Sequence, residues 1–164
     1  VSDAIRDVVA KFDLKGRYPR ILSTRGTGDG YINQARGLDW NGADLIVGDT
    51  GQDRVVFLDR NTIETATRRP VGTITGPYSP RRPEDVAGDR SRSFLYVADT
   101  GRDRVLKYKL TGEFVDSVYS ARMSIPRLTE PILAPRFVAV EDPLVFVSDP
   151  AHDRLVAFAL ADSF

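Results

Sequence analysis

Apolar residues fall at alternate positions in short runs along this 164-residue chain, and Gly, Pro, Asp and Asn separate the runs. Period-two patterning bounded by turn formers predicts β-strands, and no stretch carries a helical 3.6-residue period. Three runs end in Asp: DLIVGD (44–49), FLYVAD (94–99) and LVFVSD (144–149). After four residues (TGQD, TGRD or PAHD), an Arg opens a second run: RVVFL from Arg54, RVLKYKL from Arg104 and RLVAFAL from Arg154. Each pair of runs predicts a hairpin. Gly51 and Gly101 are expected to take the positive φ of the loop, and Ala151 implies a different loop in the third copy.

The same wording therefore returns every fifty residues, as Asp49, Asp99 and Asp149 show. A further apolar run precedes each hairpin: ARGLDW (35–40), PEDVAGD (83–89) and PRFVAVED (135–142). After the second hairpin, TGEFVDSVYS (111–120) predicts a fourth strand, and NTIETATRRPVGTI (61–74) is its polar counterpart in the first copy. The unit is four short strands, here a to d. At the N-terminus, VVAKFDLKGRYPRILST (8–24) overlays residues 104–120, placing Lys11 on Lys107, Gly16 on Gly112 and Tyr18 on Phe114. The expected organisation is a half blade at 8–24, blades at 35–75 and 83–120, and an incomplete blade at 135–160, all in one domain spanning 1–164. Four-stranded units repeating at this length are the pattern of an all-β propeller, present here as an incomplete ring.

The stretch YVADTGRDRV (96–105), preceded by Pro and an apolar strand and followed by TGEFV, resembles the NHL repeat. The match is strongest at Asp99–Arg104, good at Asp49–Arg54 and looser at Asp149–Arg154. Gln52, Arg102 and His152 stand where that repeat carries Asn. The resemblance implies an NHL-like β-propeller. It leaves function open, because such propellers serve as protein-binding platforms, RNA-binding domains, extracellular sensors and the catalytic part of an amidating lyase.

Residues that recur in every blade are expected to serve the architecture. Asp49, Asp99 and Asp149 can accept backbone N–H bonds in their own hairpins, and Arg54, Arg104 and Arg154 can bridge to a carboxylate of the same or the next blade. Val47, Val55, Phe57, Val97, Val105, Tyr108, Val147, Leu155 and Phe158 are expected to pack blade against blade. Function is expected where the copies differ. Strand a begins on the hairpin face and runs along the axis, so Arg36, Glu84 and Arg136 should ring the central opening. Gln52, Arg102 and His152 lie further out on that face. An Arg-biased ring can hold an anionic or peptide ligand; a solvated rim with local salt bridges is the other reading.

Composition narrows the chemistry. Formal net charge is zero, so no field of one sign attracts a polyanion or a membrane surface. There is no Cys, and apolar runs are far shorter than the roughly 20 residues of a membrane helix. His152 is the only His and is expected to be an exposed loop residue. One His supplies neither a His-rich zinc site nor a catalytic triad without a nucleophile beside it. The resemblance implies that the amidating lyases hold zinc through several His residues, which this chain lacks. No metal ligands or cofactor are assigned. Calcium stays open, because carboxylates and carbonyls suffice, although no Asp-x-Asp-x-Asp-Gly loop occurs. GTGDGYIN (26–33) reads as a connection between blades. TRRPVG (67–72) and SPRRPEDVAGDRSR (79–92) read as surface turns, and nucleic acid is not an expected partner.

The expected function is therefore a non-catalytic binding scaffold that engages a protein or small ligand through its hairpin face. The alternative is part of a metal-dependent lyase or lactonase whose catalytic blades lie elsewhere. An open arc leaves a strand edge and a wet core at each end. Self-association, a protein partner or more of the same chain is expected to complete it. The Arg-rich, cysteine-free composition and the missing start Met lean towards a secreted or periplasmic protein.

Overall fold

The computed structural model describes residues 1–17, 20–28, 30–59, 70–118 and 130–159. Fourteen strands in this part of the chain form four small sheets. The first holds β1 (Ser2–Asp3), β2 (Val8–Lys11) and β3 (Arg20–Ser23). The second holds β4 (Ala35–Trp40), β5 (Leu45–Asp49), β6 (Arg54–Leu58) and β7 (Pro70–Ile74). The third holds β8 (Pro83–Asp89), β9 (Phe94–Asp99), β10 (Arg104–Lys109) and β11 (Phe114–Val118). The fourth holds β12 (Val138–Glu141), β13 (Leu144–Asp149) and β14 (Arg154–Ala159). Each strand pairs antiparallel with its neighbour in sequence, so each sheet is a meander and each is one propeller blade.

The first blade takes in Ser2–Asp3 as well as the 8–24 segment. Its loop, Asp3-Ala-Ile-Arg-Asp7, repeats the hairpin loop of the later blades, and Asp7 has the same left-handed backbone as Asp53, Asp103 and Asp153. The copy is hard to read in sequence because Val8 replaces the Arg that marks the others. Tyr18 and residues 119–120 lie outside the described residues, as do most of 61–74 and all of Thr67–Arg69.

Apolar residues of adjacent blades bury one another in three layers. Val9, Leu22 and Ile32 meet Val47, Val56 and Leu58 between the first and second blades. Ile46, Val55 and Phe57 meet Val86, Val97, Leu106 and Tyr108 between the second and third. Tyr96, Ala98 and Val105 meet Val138, Val147, Val156 and Phe158 between the third and fourth. A two-faced strand makes this possible, since alternate side chains point to opposite seams. Leu155 departs from the packing expected of it. Its side of the fourth blade faces away from the third, and 67% of its surface is exposed.

The hairpin loops correct the expected glycine role. The positive φ falls not on glycine but on Asp53 (54°), Asp103 (53°) and Asp153 (48°). Asp tolerates the left-handed region better than most residues because its short side chain bonds locally. Gly51 and Gly101 are needed for close approach instead. A Cβ on Gly51 would lie 2.8 Å from the Asn33 carbonyl oxygen, and one on Gly101 would lie 2.8 Å from that of Arg81. With the left-handed residue outside position 151, the third loop forms the same 3-10 turn with Ala151 in place of Gly.

Candidate functional site

Each hairpin is held by a buried carboxylate. Arg54 Nε donates to Asp49 Oδ2 at 2.7 Å, Arg104 Nε to Asp99 at 2.6 Å and Arg154 Nε to Asp149 at 2.7 Å. All three pairs lie within one blade, and all three carboxylates are fully buried. The other oxygen of each Asp accepts a backbone N–H from the residues leading into strand a of its own blade: Asn33 at 2.6 Å, Arg81 at 2.5 Å and Leu133 at 3.1 Å. Burial pushes the carboxyls of Asp49 and Asp99 up, and their hydrogen bonds do not fully offset it. Burial acts the same way on Asp149, but Leu133, Arg154 and His152 outweigh it and hold that carboxyl below the usual range.

The positions that replace the repeat's Asn serve this same knot. Gln52 Nε2 donates to Asp49 Oδ2 at 2.8 Å and to the Gly26 carbonyl at 2.9 Å. His152 is mostly buried rather than exposed, with Nδ1 2.9 Å from Asp149 Oδ2 and Nε2 3.3 Å from Glu130. Both nitrogens face carboxylates, which fixes the ring in place. Arg102 projects further out and donates to the Ser79 carbonyl at 2.6 Å.

Arg36 and Glu84 are each the second residue of strand a in their blades, on β4 and β8, and Arg136 lies two residues before β12. Glu84 is buried and lies between two guanidinium groups, 3.5 Å from Arg82 and 3.8 Å from Arg136. Arg82 and Arg136 keep 62% and 59% of their side-chain surface, and Arg36 is also exposed. Phe137 follows Arg136 and is 67% exposed. Glu84 thus acts as an anchor that leaves the Arg side chains facing solvent. Arg82 and Phe137 were not singled out from sequence. The signal for Arg82 was its place two residues before Glu84, in a basic stretch that reads as a surface turn.

At the opposite mouth, strand a of the second, third and fourth blades lines a cleft of about 620 Å³. Asp39, Asp85, Asp89 and Glu141 border it, together with Leu38 and Val138. Asp39 Oδ2 accepts the Gly88 N–H at 2.5 Å, and Asp85 Oδ2 accepts that of Val138 at 3.0 Å. These carboxylates tie each inner strand to the next. Their signal in sequence was an acidic residue inside an apolar run, in GLDW and PEDV. Among the described residues, no group of three or more His, Asp or Glu side chains is placed to hold a metal ion.

The architecture is that of a β-propeller segment, and solved structures share it. No family model and no curated protein matches the chain. A chain of the nidogen/laminin complex superposes with a TM-score of 0.70 at 16% identity, over 97% of this chain and 54% of that one. Virginiamycin B lyase from Staphylococcus aureus gives 0.59 at 12% identity, over 95% and 50%. A streptogramin B lyase gives 0.60 at 13% identity, over 94% and 48%. The chain therefore spans about half the length of these propeller proteins. At such identities the likeness is one of fold, which binding proteins and lyases share. No helix among the described residues is long and apolar enough to cross a membrane.

Proposed function

We propose that this NHL-like segment is a non-catalytic binding scaffold. It engages an acidic segment of a partner protein at the axial mouth of its hairpin face, as part of a larger propeller. The observation that supports this reading is the pair of largely exposed Arg82 and Arg136 side chains on either side of the buried Glu84, with Phe137 exposed next to Arg136 and Arg36 exposed at the equivalent position of the second blade. Arg and aromatic side chains are the residue types that dominate protein-binding hot spots. Forked, charge-assisted bonds from Arg suit carboxylates, and the exposed ring of Phe137 suits an apolar side chain next to them. Gln52 and His152 support the face from below, because both spend their polar atoms on the hairpin carboxylates.

A fluorescent hexaglutamate peptide tests this reading. Arg36→Ala with Arg136→Ala should weaken its binding by at least tenfold, since a hydrogen bond to a charged group contributes about 1.5–3 kcal/mol. Binding that survives both substitutions would remove the axial mouth as the site. The enzyme reading predicts a different result, stoichiometric zinc or calcium in the full-length parent protein.

A further inference from the structure

The three seams between blades share one set of contacts. Asp7, Asp53 and Asp103 each send a carboxylate oxygen across the seam to a backbone N–H that leads into the next blade. The donors are Gln34 at 2.6 Å, Arg82 at 2.8 Å and Ala134 at 2.8 Å. All three donors have a left-handed backbone, with φ of 52°, 50° and 48°. Just past the loop, Val9, Val55 and Val105 occupy one equivalent seat, and each is fully buried by the following blade.

The fourth blade has the same seats without the cover. Asp153 keeps the left-handed φ of 48°, yet its carboxylate has no partner among the described residues. Leu155 takes the seat of Val9, Val55 and Val105 and is 67% exposed. Phe146 takes the seat of the fully buried Ile46 and Tyr96 but is only partly buried, and Ala157 and Ala159 are exposed on the same strand pair. A polar group and an apolar patch thus lie open at the two places where every other seam closes.

We propose that the outer face of β12, β13 and β14 receives one further blade of this same repeat. Its left-handed lead-in residue donates a backbone N–H to Asp153, and its apolar strands cover Phe146 and Leu155. This deepens the scaffold reading and rests on its larger propeller, but it does not depend on acidic-peptide binding at the axial mouth. The continuity of three equivalent seams names the occupant. A second copy of residues 1–164 fits less well, because its lead-in residues Gln34, Arg82 and Ala134 are already engaged by Asp7, Asp53 and Asp103.

The test extends the whole chain in register, repeating residues 110–159 after Ala159. This supplies a fourth strand for the last blade and then a new lead-in pair with strands a to c. The chain has no Cys, so Leu155→Cys in the first copy gives a single thiol reporter. Docking should slow its labelling about tenfold or more relative to the unextended chain, since a covered side chain reacts only on local opening. Asp153→Ala should restore much of the rate. Equal labelling in the extended and unextended chains overturns the proposal, provided that cooperative unfolding of the same sample shows the original blades intact. Slow labelling of the unextended chain, with a molar mass twice its 18.2 kDa, also overturns it, because a second copy would then cover the face. Loss of hexaglutamate binding, by contrast, would count only against the axial mouth.

Discussion

The carboxylate of Asp53 accepts the backbone N–H of Arg82, 29 residues away and in the next blade, at 2.8 Å. The same residue turns its own hairpin, with a φ of 54°. One side chain thus closes a loop and fastens a seam. Asp53→Ala should cost about 1–3 kcal/mol, because it leaves the Arg82 N–H without its acceptor and puts Ala in a left-handed conformation. Asp53→Asn keeps an acceptor and tolerates that conformation, so it should recover most of the loss. Urea unfolding midpoints of the two variants check this, and equal midpoints would show that the clamp contributes nothing.

Arg104 donates to Asp99, whose carboxylate is fully buried, while only 13% of the Arg104 side chain is exposed. Arg104→Ala takes the guanidinium away from the buried Asp99 charge and leaves the Arg81 N–H on its other oxygen. The expected loss is about 3 kcal/mol or more. Arg104→Ala combined with Asp99→Asn should lose less than the single change, since the charge is then gone. A double-mutant cycle in chemical denaturation measures the difference.

Gly37 lies where two inner strands touch. A Cβ there would come 2.5 Å from the Asp85 Cα and 2.8 Å from the Val86 nitrogen, both backbone atoms that cannot swing aside. Gly37→Ala should therefore destabilise by about 1–3 kcal/mol or more. Gly28→Ala is the control, because its nearest neighbour would be the Tyr31 ring at an ordinary 3.7 Å. Thermal midpoints should fall for the first and barely move for the second.

Burial pushes the carboxyl of Asp85 up, the Asp39 charge adds to it, and the N–H groups of Val138 and Val86 offset only part. A carboxyl raised in the folded state stabilises the fold below the ordinary carboxylate range, and that contribution is lost as pH rises through the folded value. At neutral pH the ionised Asp85 thus weakens the fold. Asp85→Asn removes the charge and can still accept from Val138. Its unfolding midpoint should exceed that of the unsubstituted chain at about pH 7, and the gap should close near pH 3. A gap that widens on acidification would reverse the assignment.

Much of the architecture was legible because it is written within a few residues. Alternation in VVF or YVA fixes a strand, the Asp-x-x-x-Asp loop fixes a hairpin, and the register Asp99↔Arg104 follows from that loop. A carboxylate partner for Arg54 and Arg154 was legible too, but the choice of Asp49 and Asp149 in the same blade over a carboxylate of the next blade came only with the structure. Gly51 was misread because its requirement comes from Asn33, in a preceding segment, and not from its own turn.

The candidate site was legible only in part. The equivalence of Arg36, Glu84 and Arg136 at the entry to strand a followed from the repeat, but the burial of Glu84 between Arg82 and Arg136 depends on how two blades meet. Contacts across a seam were not legible either: Thr50 and Thr100 donate to the carbonyls of Pro83 and Pro135, and the third copy has Pro150 in their place.

The sequence by itself determined the period, the strands and the hairpins, since each depends on backbone sterics and side chains a few positions apart. Tertiary structure alone decided which alternate face is covered. It set Val55 and Val105 at zero exposure and Leu155 at 67%, although the three occupy the same place in the repeat. Burial belongs to the seam and not to the strand, because an apolar side chain leaves water only when another blade is there to receive it.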